Sequence, residues 1–395
     1  MPMPGRHFLQ IPGPSNVPLR VLKAMDRPVI NHRGLEFAGI AKALLDKLKA
    51  VFKTETGTPL IFPSSGTGAW ESSLVNTLSP GDKVLAFEIG EFSAGYARAA
   101  RGQGLEVEAV ELDWGATIPP EVVYERLAAD TGQAIRAVLT IHNETSTGVS
   151  TDIGAIREAM DRAGHPALLL VDTVSGLGCL DFRFDEWGVD VAVTCSQKGL
   201  LLPPGLGILC VSAKALRARE RATTPRHYFD WGPMIDKNAE GYFPYTPATN
   251  LLHGLGEALD MLSEEGLEHV FARHARMAEG VRRAVAAWGL EVLAQPGARS
   301  NVLTTVKLPE GVDGDALLVE SETHWELSLG NGLGPLKGRV FRIGHLGDIN
   351  DLEVLATLAG TELALRRTGV KVDFGAGVAA CQQWFYANPL PGRVG

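Results

Sequence analysis

Three stretches of the sequence place reactive side chains beside small residues at the ends of apolar runs, where an α/β sheet exposes its ligand-binding edge. Thr194-Cys-Ser-Gln-Lys-Gly199 ends one run, and the apolar Leu200-Leu-Leu-Pro-Pro that follows would partly shield Lys198 from water. A desolvated lysine loses proton affinity and becomes an amine nucleophile able to condense with a carbonyl; a lysine in a surface turn is the alternative. Asp172 closes the all-apolar Ala167–Val171. A carboxylate there is costly to bury unless a cation or donor meets it, and a helix N-cap or turn is the other reading. Phe62-Pro-Ser-Ser-Gly-Thr-Gly-Ala-Trp-Glu71 ends a run in small residues and opens a helix. Its amides and the helix dipole suit an anion, or form a plain N-capped turn; neither a GxGxxG nor a Walker spacing is present. One strand–helix–strand unit separates Asp172 from Lys198, so both reach the same sheet edge.

Those positions need a scaffold, and the hydrophobic pattern supplies one. Seven short apolar runs, Pro59–Pro63, Lys83–Phe87, Glu106–Glu111, Arg136–Ile141, Ala167–Val171, Asp190–Thr194 and Gly207–Val211, mostly alternate with helical patterns. This is the rhythm of a mainly parallel sheet covered on both faces, with Ala167–Val171 a central strand because it does not alternate. After Thr246 the pattern turns to long helices over Leu251–Glu264 and Leu267–Trp288, with strands expected at Glu291–Leu293, Val302–Val306 and Val340–Ile343. The organisation that follows is an α/β chain with an N-terminal arm (1–18), a large domain (19–267) and a smaller C-terminal α+β domain (268–395). The Pro- and Gly-rich arm is expected to cross the surface or a partner subunit.

Composition bounds the partners. Lys plus Arg number 37 against 46 Asp plus Glu, a net charge of −9, and no basic block stands out, so nucleic acid lacks an electrostatic footprint. No apolar run approaches the ~20 residues of a membrane span. The four cysteines have no CxxC spacing and the first residues lack an apolar segment, so neither a disulfide framework nor a signal peptide is expected and the compartment is read as the cytoplasm. His142 and Glu144 suggest metal ligands but have no third partner, and no metal is expected. His269, Arg273 and His274 read as a solvated helix face, and Trp70, Trp187 and Trp288 as packing residues.

A lysine for an aldehyde, an acid for a pyridine nitrogen and a helix N-terminus for a phosphate are together what pyridoxal phosphate requires. The order of motifs, Ile11-Pro-Gly-Pro-Ser-Asn, Ser65-Gly-Thr-Gly, His142-Asn-Glu-Thr-Ser-Thr-Gly148, Val171-Asp172, Ser196-Gln-Lys-Gly199, Pro203-Pro-Gly-Leu-Gly207 and Phe341-Arg-Ile-Gly-His-Leu-Gly347, resembles the class V aminotransferases of fold type I, in particular the serine–glyoxylate and alanine–glyoxylate group. The resemblance implies pyridoxal 5'-phosphate held as a Schiff base on Lys198, with Asp172 facing the pyridine nitrogen. It implies phosphate contacts from Ser65, Gly66, Thr67 and Gln197, ring contacts from Phe92 (where many relatives carry Trp), Thr145 and Val174, and a carboxylate clamp at Arg342. Taken alone, Arg342 reads as a surface strand residue. The resemblance further implies a homodimer in which Tyr245 and Thr246 reach the phosphate of the other subunit, and a substrate contact or surface turn at Arg33. The reaction implied is ping-pong transfer of an amino group from L-serine to glyoxylate, with aspartate or alanine as alternative donors. Cysteine desulfurase or lyase chemistry is more remote, since no cysteine lies in a polar loop, and a cofactor-free α/β protein is the reading without Lys198 chemistry.

Overall fold

The computed structural model describes residues 5–390; residues 1–4 of the arm and 391–395 lie outside the described residues. All seven apolar runs become strands of one sheet, in the order Thr58–Pro63, Leu206–Val211, Val191–Cys195, Leu168–Asp172, Ile135–Ile141, Lys83–Glu88 and Glu106–Glu111. Leu168–Asp172 and Val191–Cys195 are buried at every position, which is why their sequences do not alternate. Five of the strands, from Val191–Cys195 to Glu106–Glu111, run parallel. Leu206–Val211 runs antiparallel to both of its neighbours. The reason lies in its connection: residues 196–205 carry Lys198 but no helix, too short a link for a parallel crossover.

A second sheet has the order Phe8–Gln10, Leu327–Asn331, Val340–Gly344, Leu303–Lys307 and Glu291–Val292. Three of these strands are legible from sequence; Leu327–Asn331 and Phe8–Gln10 are not. The described part of the arm does not simply cross the surface. Phe8, Leu9 and Gln10 pair in parallel with Leu327, Ser328 and Leu329, and the chain then crosses toward Lys198.

Two long helices, Thr249–Glu265 and Leu267–Ala287, meet at Gly266, whose φ of 80° permits the sharp break. The second helix serves two hydrophobic cores: Val270 packs with the large sheet, while Met277, Val281, Ala284 and Val285 pack with the second sheet. This corrects the solvated-face reading for Arg273 and His274, whereas His269 is exposed as that reading has it. His274 is fully buried, and its Nε2 accepts from the Gly347 amide at 3.1 Å. Arg273 pairs with Glu265 and donates to the Gly347 carbonyl at 3.0 Å. Burial pushes the His274 imidazolium down to about 3, so this histidine is a neutral structural link.

Candidate active site

Leu168–Asp172 and Val191–Cys195 are parallel neighbours, so Asp172 and the turn holding Lys198 leave the same edge of the sheet. Asp172 is 2% exposed. Its Oδ2 accepts from Trp70 Nε1 at 2.9 Å and its Oδ1 from the Val174 amide at 2.7 Å. Burial pushes the carboxyl up to about 7 against the pull of these donors and of Lys198, with the charge of Glu144 adding to the rise. Lys198 is also buried, and burial brings its ammonium down to about 8; nearby Cys195 and Asp172 oppose the shift, while Arg342 adds to it.

The N-terminal segment closes over this lysine. Lys198 Nζ donates to the Pro12 carbonyl, and a Cβ on Gly13 would overlap the lysine side chain. Gly13 also has φ +110°, a conformation that side chains of L-residues rarely adopt. Ser15 fixes the backbone on either side, donating from its amide to the Gln197 carbonyl at 3.0 Å and from Oγ to the Lys198 carbonyl at 2.9 Å.

The strand Thr58–Pro63 delivers the third motif to the same edge. Ser65 is the N-cap of helix Gly66–Thr77, with Oγ accepting from the Gly68 amide at 3.4 Å, and Ser65 and Thr67 are exposed. Gly66 is buried against Val174, where a Cβ would come within 2.9 Å of Val174 Cγ2. A helix N-terminus flanked by small hydroxyl residues is an anion cradle, and Gln197 is half-buried in the turn that brings Lys198 to it.

Opposite, Arg342 lies in the middle of the second sheet, between Thr305 and Gly330. It is 6% exposed, which overturns the surface reading that its sequence position alone suggests. Nε donates to the Asn331 carbonyl at 2.7 Å, Nη1 to the Thr145 carbonyl at 2.8 Å and Nη2 to Asn331 Oδ1 at 3.5 Å. Each terminal nitrogen therefore keeps an N–H for a carboxylate, the bidentate geometry guanidinium favours. Burial lowers its guanidinium to about 10, opposed by the nearby charge of Glu144, so it stays charged near neutrality. Thr145 Oγ1 donates to Ser175 Oγ at 2.8 Å. Phe92 is half-buried in the first turn of helix Glu91–Gly102.

Lys198, Asp172, Val174, Gly66, Thr145 and Arg342 are thus linked by contacts or by direct charge coupling. No hydrogen bond or ion pair among the described residues joins Arg33, Tyr245 or Thr246 to them. Arg33 and Thr246 are exposed, and Tyr245 stacks on Tyr228 with ring centroids 4.5 Å apart. Sequence reasoning missed Trp70, treated as packing, and gave no role to Pro12–Ser15, Ser175 or Asn331. The place of Trp70 in the first turns of the helix opened by the anion turn is the one signal that could have found it. Among the described residues no group of three or more His, Cys, Asp or Glu could hold a metal ion.

The donor set fits pyridoxal phosphate. A buried carboxylate carries open lone pairs for a protonated ring nitrogen, a depressed lysine stands on the adjacent strand end, and a helix N-terminus lies beside both.

Comparison with known proteins agrees with this geometry. The profile described as "Aminotransferase class-V" matches residues 7–321. The serine–glyoxylate aminotransferase of Methylorubrum extorquens is 49% identical over 98% of this chain and 98% of the relative. The L-aspartate–glyoxylate aminotransferase of Paracoccus denitrificans is 46% identical over 97% of each. The crystal structure of ureidoglycine–glyoxylate aminotransferase from Bacillus subtilis superimposes with a TM-score of 0.90 at 27% identity, covering 98% of this chain and 99% of that one. With its fold-type-I architecture and pyridoxal phosphate as cofactor, the chain belongs to the class V aminotransferases.

Proposed function

We propose that the enzyme transfers the amino group of L-serine to glyoxylate, giving hydroxypyruvate and glycine in two half-reactions. The observation that carries this reading is the buried, still-charged Arg342 facing a lysine and a carboxylate whose proton affinities burial has moved toward neutrality. Serine–glyoxylate relatives spanning nearly the whole chain support the donor and acceptor.

Bound pyridoxal phosphate supplies an electron sink for the bond broken at the substrate α-carbon. Arg342 takes the carboxylate of donor and acceptor alike, and this suits a site that must bind an amino acid and a 2-oxo acid in turn. Lys198 is part unprotonated near neutrality, so its Nζ takes the α-proton of the donor and returns a proton in the second half-reaction. Asp172, fixed by Trp70 and the Val174 amide, holds the ring nitrogen's proton in place. Ser65, Gly66, Thr67 and Gln197 would hold the phosphate, Phe92 and Val174 would flank the ring, and Thr145 would meet its oxygen.

The active unit is proposed to be a homodimer in which Tyr245 and Thr246 serve the neighbouring copy. Leu19, Leu22, Val29 and Leu35 are exposed by 45% or more, apolar side chains that a second copy would cover. The four free, buried cysteines fit a cytoplasmic setting, and no helix among the described residues is long and apolar enough to cross a membrane. Aspartate is the second reading, favoured by the Paracoccus relative and by Arg33, an exposed cation able to meet a distal carboxylate.

The test is the absorption spectrum of the purified protein after L-serine, L-aspartate or L-alanine, and again after glyoxylate. Serine should bleach the visible band and glyoxylate restore it. Bleaching by aspartate alone would transfer the assignment to the second reading, and no bleaching by any donor would remove the transamination reading.

A further inference from the structure

Glu144 is a charged side chain beside the site to which the mechanism gives no task. It is 0% exposed, in the two-residue strand Asn143–Glu144 just before Thr145. Four donors converge on its carboxylate. Oε1 accepts from the Phe92 amide at 3.3 Å, the Ser146 amide at 3.0 Å and Ser146 Oγ at 2.7 Å, while Oε2 accepts from the Ser93 amide at 2.8 Å. Ser146 Oγ in turn accepts from the Glu91 amide at 2.9 Å.

Glu91, Phe92 and Ser93 are the first three residues of helix Glu91–Gly102, whose opening amides have no intrahelical acceptor. The N-cap is Gly90, with no side chain to offer, and a Cβ there would overlap Glu144. The helix is therefore capped from another element. A carboxylate at this end is also favoured by the helix dipole. All three amides are held by the loop that carries Thr145, so the backbone of Phe92 is fixed relative to that loop before its ring meets anything.

We propose that Glu144 is a positioning residue that aims the Phe92 ring at the cofactor face opposite Val174. The proposal rests on the cofactor site described above. It is tested with Glu144→Gln, Phe92→Ala and the double variant, reading the dissociation constant of pyridoxal phosphate, the visible circular dichroism of the bound cofactor and the melting temperature of the apo-protein.

Gln keeps the shape but sets a donor against one of the amides, so Glu144→Gln should weaken cofactor binding by ~10-fold and reduce the dichroic band. Because the effect runs through the ring, the double variant should bind no more weakly than Phe92→Ala alone. An unchanged affinity in Glu144→Gln overturns the proposal, as does a loss of the same size in both backgrounds, which would mark a purely structural carboxylate. If Glu144→Gln does not fold, Glu144→Asp, which keeps the charge on a shorter arm, carries the same cycle. A wild-type protein that binds no pyridoxal phosphate would instead refute the site itself, an outcome separable from either of these.

Discussion

Lys198 and Arg342 are both buried cations at one site, yet they meet the same physical pressure with different results. Desolvation brings the lysine down to about 8, within reach of losing its proton, whereas the delocalised guanidinium falls to about 10 and remains charged. Their supports differ as well. Lys198 is steadied through its own backbone and that of Gln197 by Ser15, leaving Nζ one carbonyl contact. Arg342 is held at three nitrogens by Asn331 and Thr145, which fixes its plane. Burial thus leaves one cation close to losing its proton and the other charged and rigidly held, the properties that the proposed proton carrier and carboxylate clamp need, and the chemistry of the head group decides which.

That contrast can be broken by substitution. The largest effect is expected for Lys198→Ala, where loss of the proton carrier should lower kcat by ~10⁴-fold or more; initial rates within tenfold of wild type would remove the lysine from that role. Next comes Arg342→Lys, which keeps a charge but loses the fork. KM for both serine and glyoxylate should rise by ~10- to 100-fold with a smaller change in kcat, and a rise for one substrate only would mean that the two do not share the clamp. Trp70→Phe removes one donor from Asp172 and should cost ~10-fold in kcat/KM. It should also raise the Asp172 carboxyl further above its ordinary value, and a wild-type pH–rate profile in that variant would contradict this.

The smallest effect is one of stability in the apo-protein. Asp172 titrates at about 7 in the fold against 3.8 ordinarily, so the native state keeps a proton that the unfolded chain has lost. Its contribution is therefore full below 3.8 and disappears as pH rises through about 7. Lys198 acts in the opposite sense: the cost of burying it charged is relieved as pH rises from about 8 toward 10.5. Melting temperatures across pH should show the first slope in wild type and not in Asp172→Asn; equal slopes in both would disprove the assignment.

The sequence reading succeeded where short-range rules decide the outcome. Leu168–Val171 is all apolar because both faces are covered, and a carboxylate closing such a run could not be neutral in meaning. It runs out where an element is too short to carry a pattern, where the link between strands sets their direction, or where the deciding contact comes from far along the chain. The direction of Leu206–Val211 depends on a helix-free link, Phe8–Gln10 is too short to carry a period, and Trp70 looks like any packing residue until its indole reaches Asp172. Arg342 is reached by resemblance rather than by pattern, since an arginine in mid-strand gives no sign of which face is buried. Glu144 reads beside His142 only as a metal ligand without company, because the helix amides it caps are over fifty positions upstream.

Phe8–Gln10 also has a consequence for the order of assembly. This strand is made before the large sheet, while its partner Leu327–Asn331 and the adjoining Val340–Gly344 are made after it. The Ile11 carbonyl passes so close to Gly344 that a Cβ there would overlap it, so the crossing from strand to lysine can be packed only after that late strand is present. On the ribosome the large sheet can therefore form with Lys198 still uncovered, and closure over the lysine waits for Val340–Gly344.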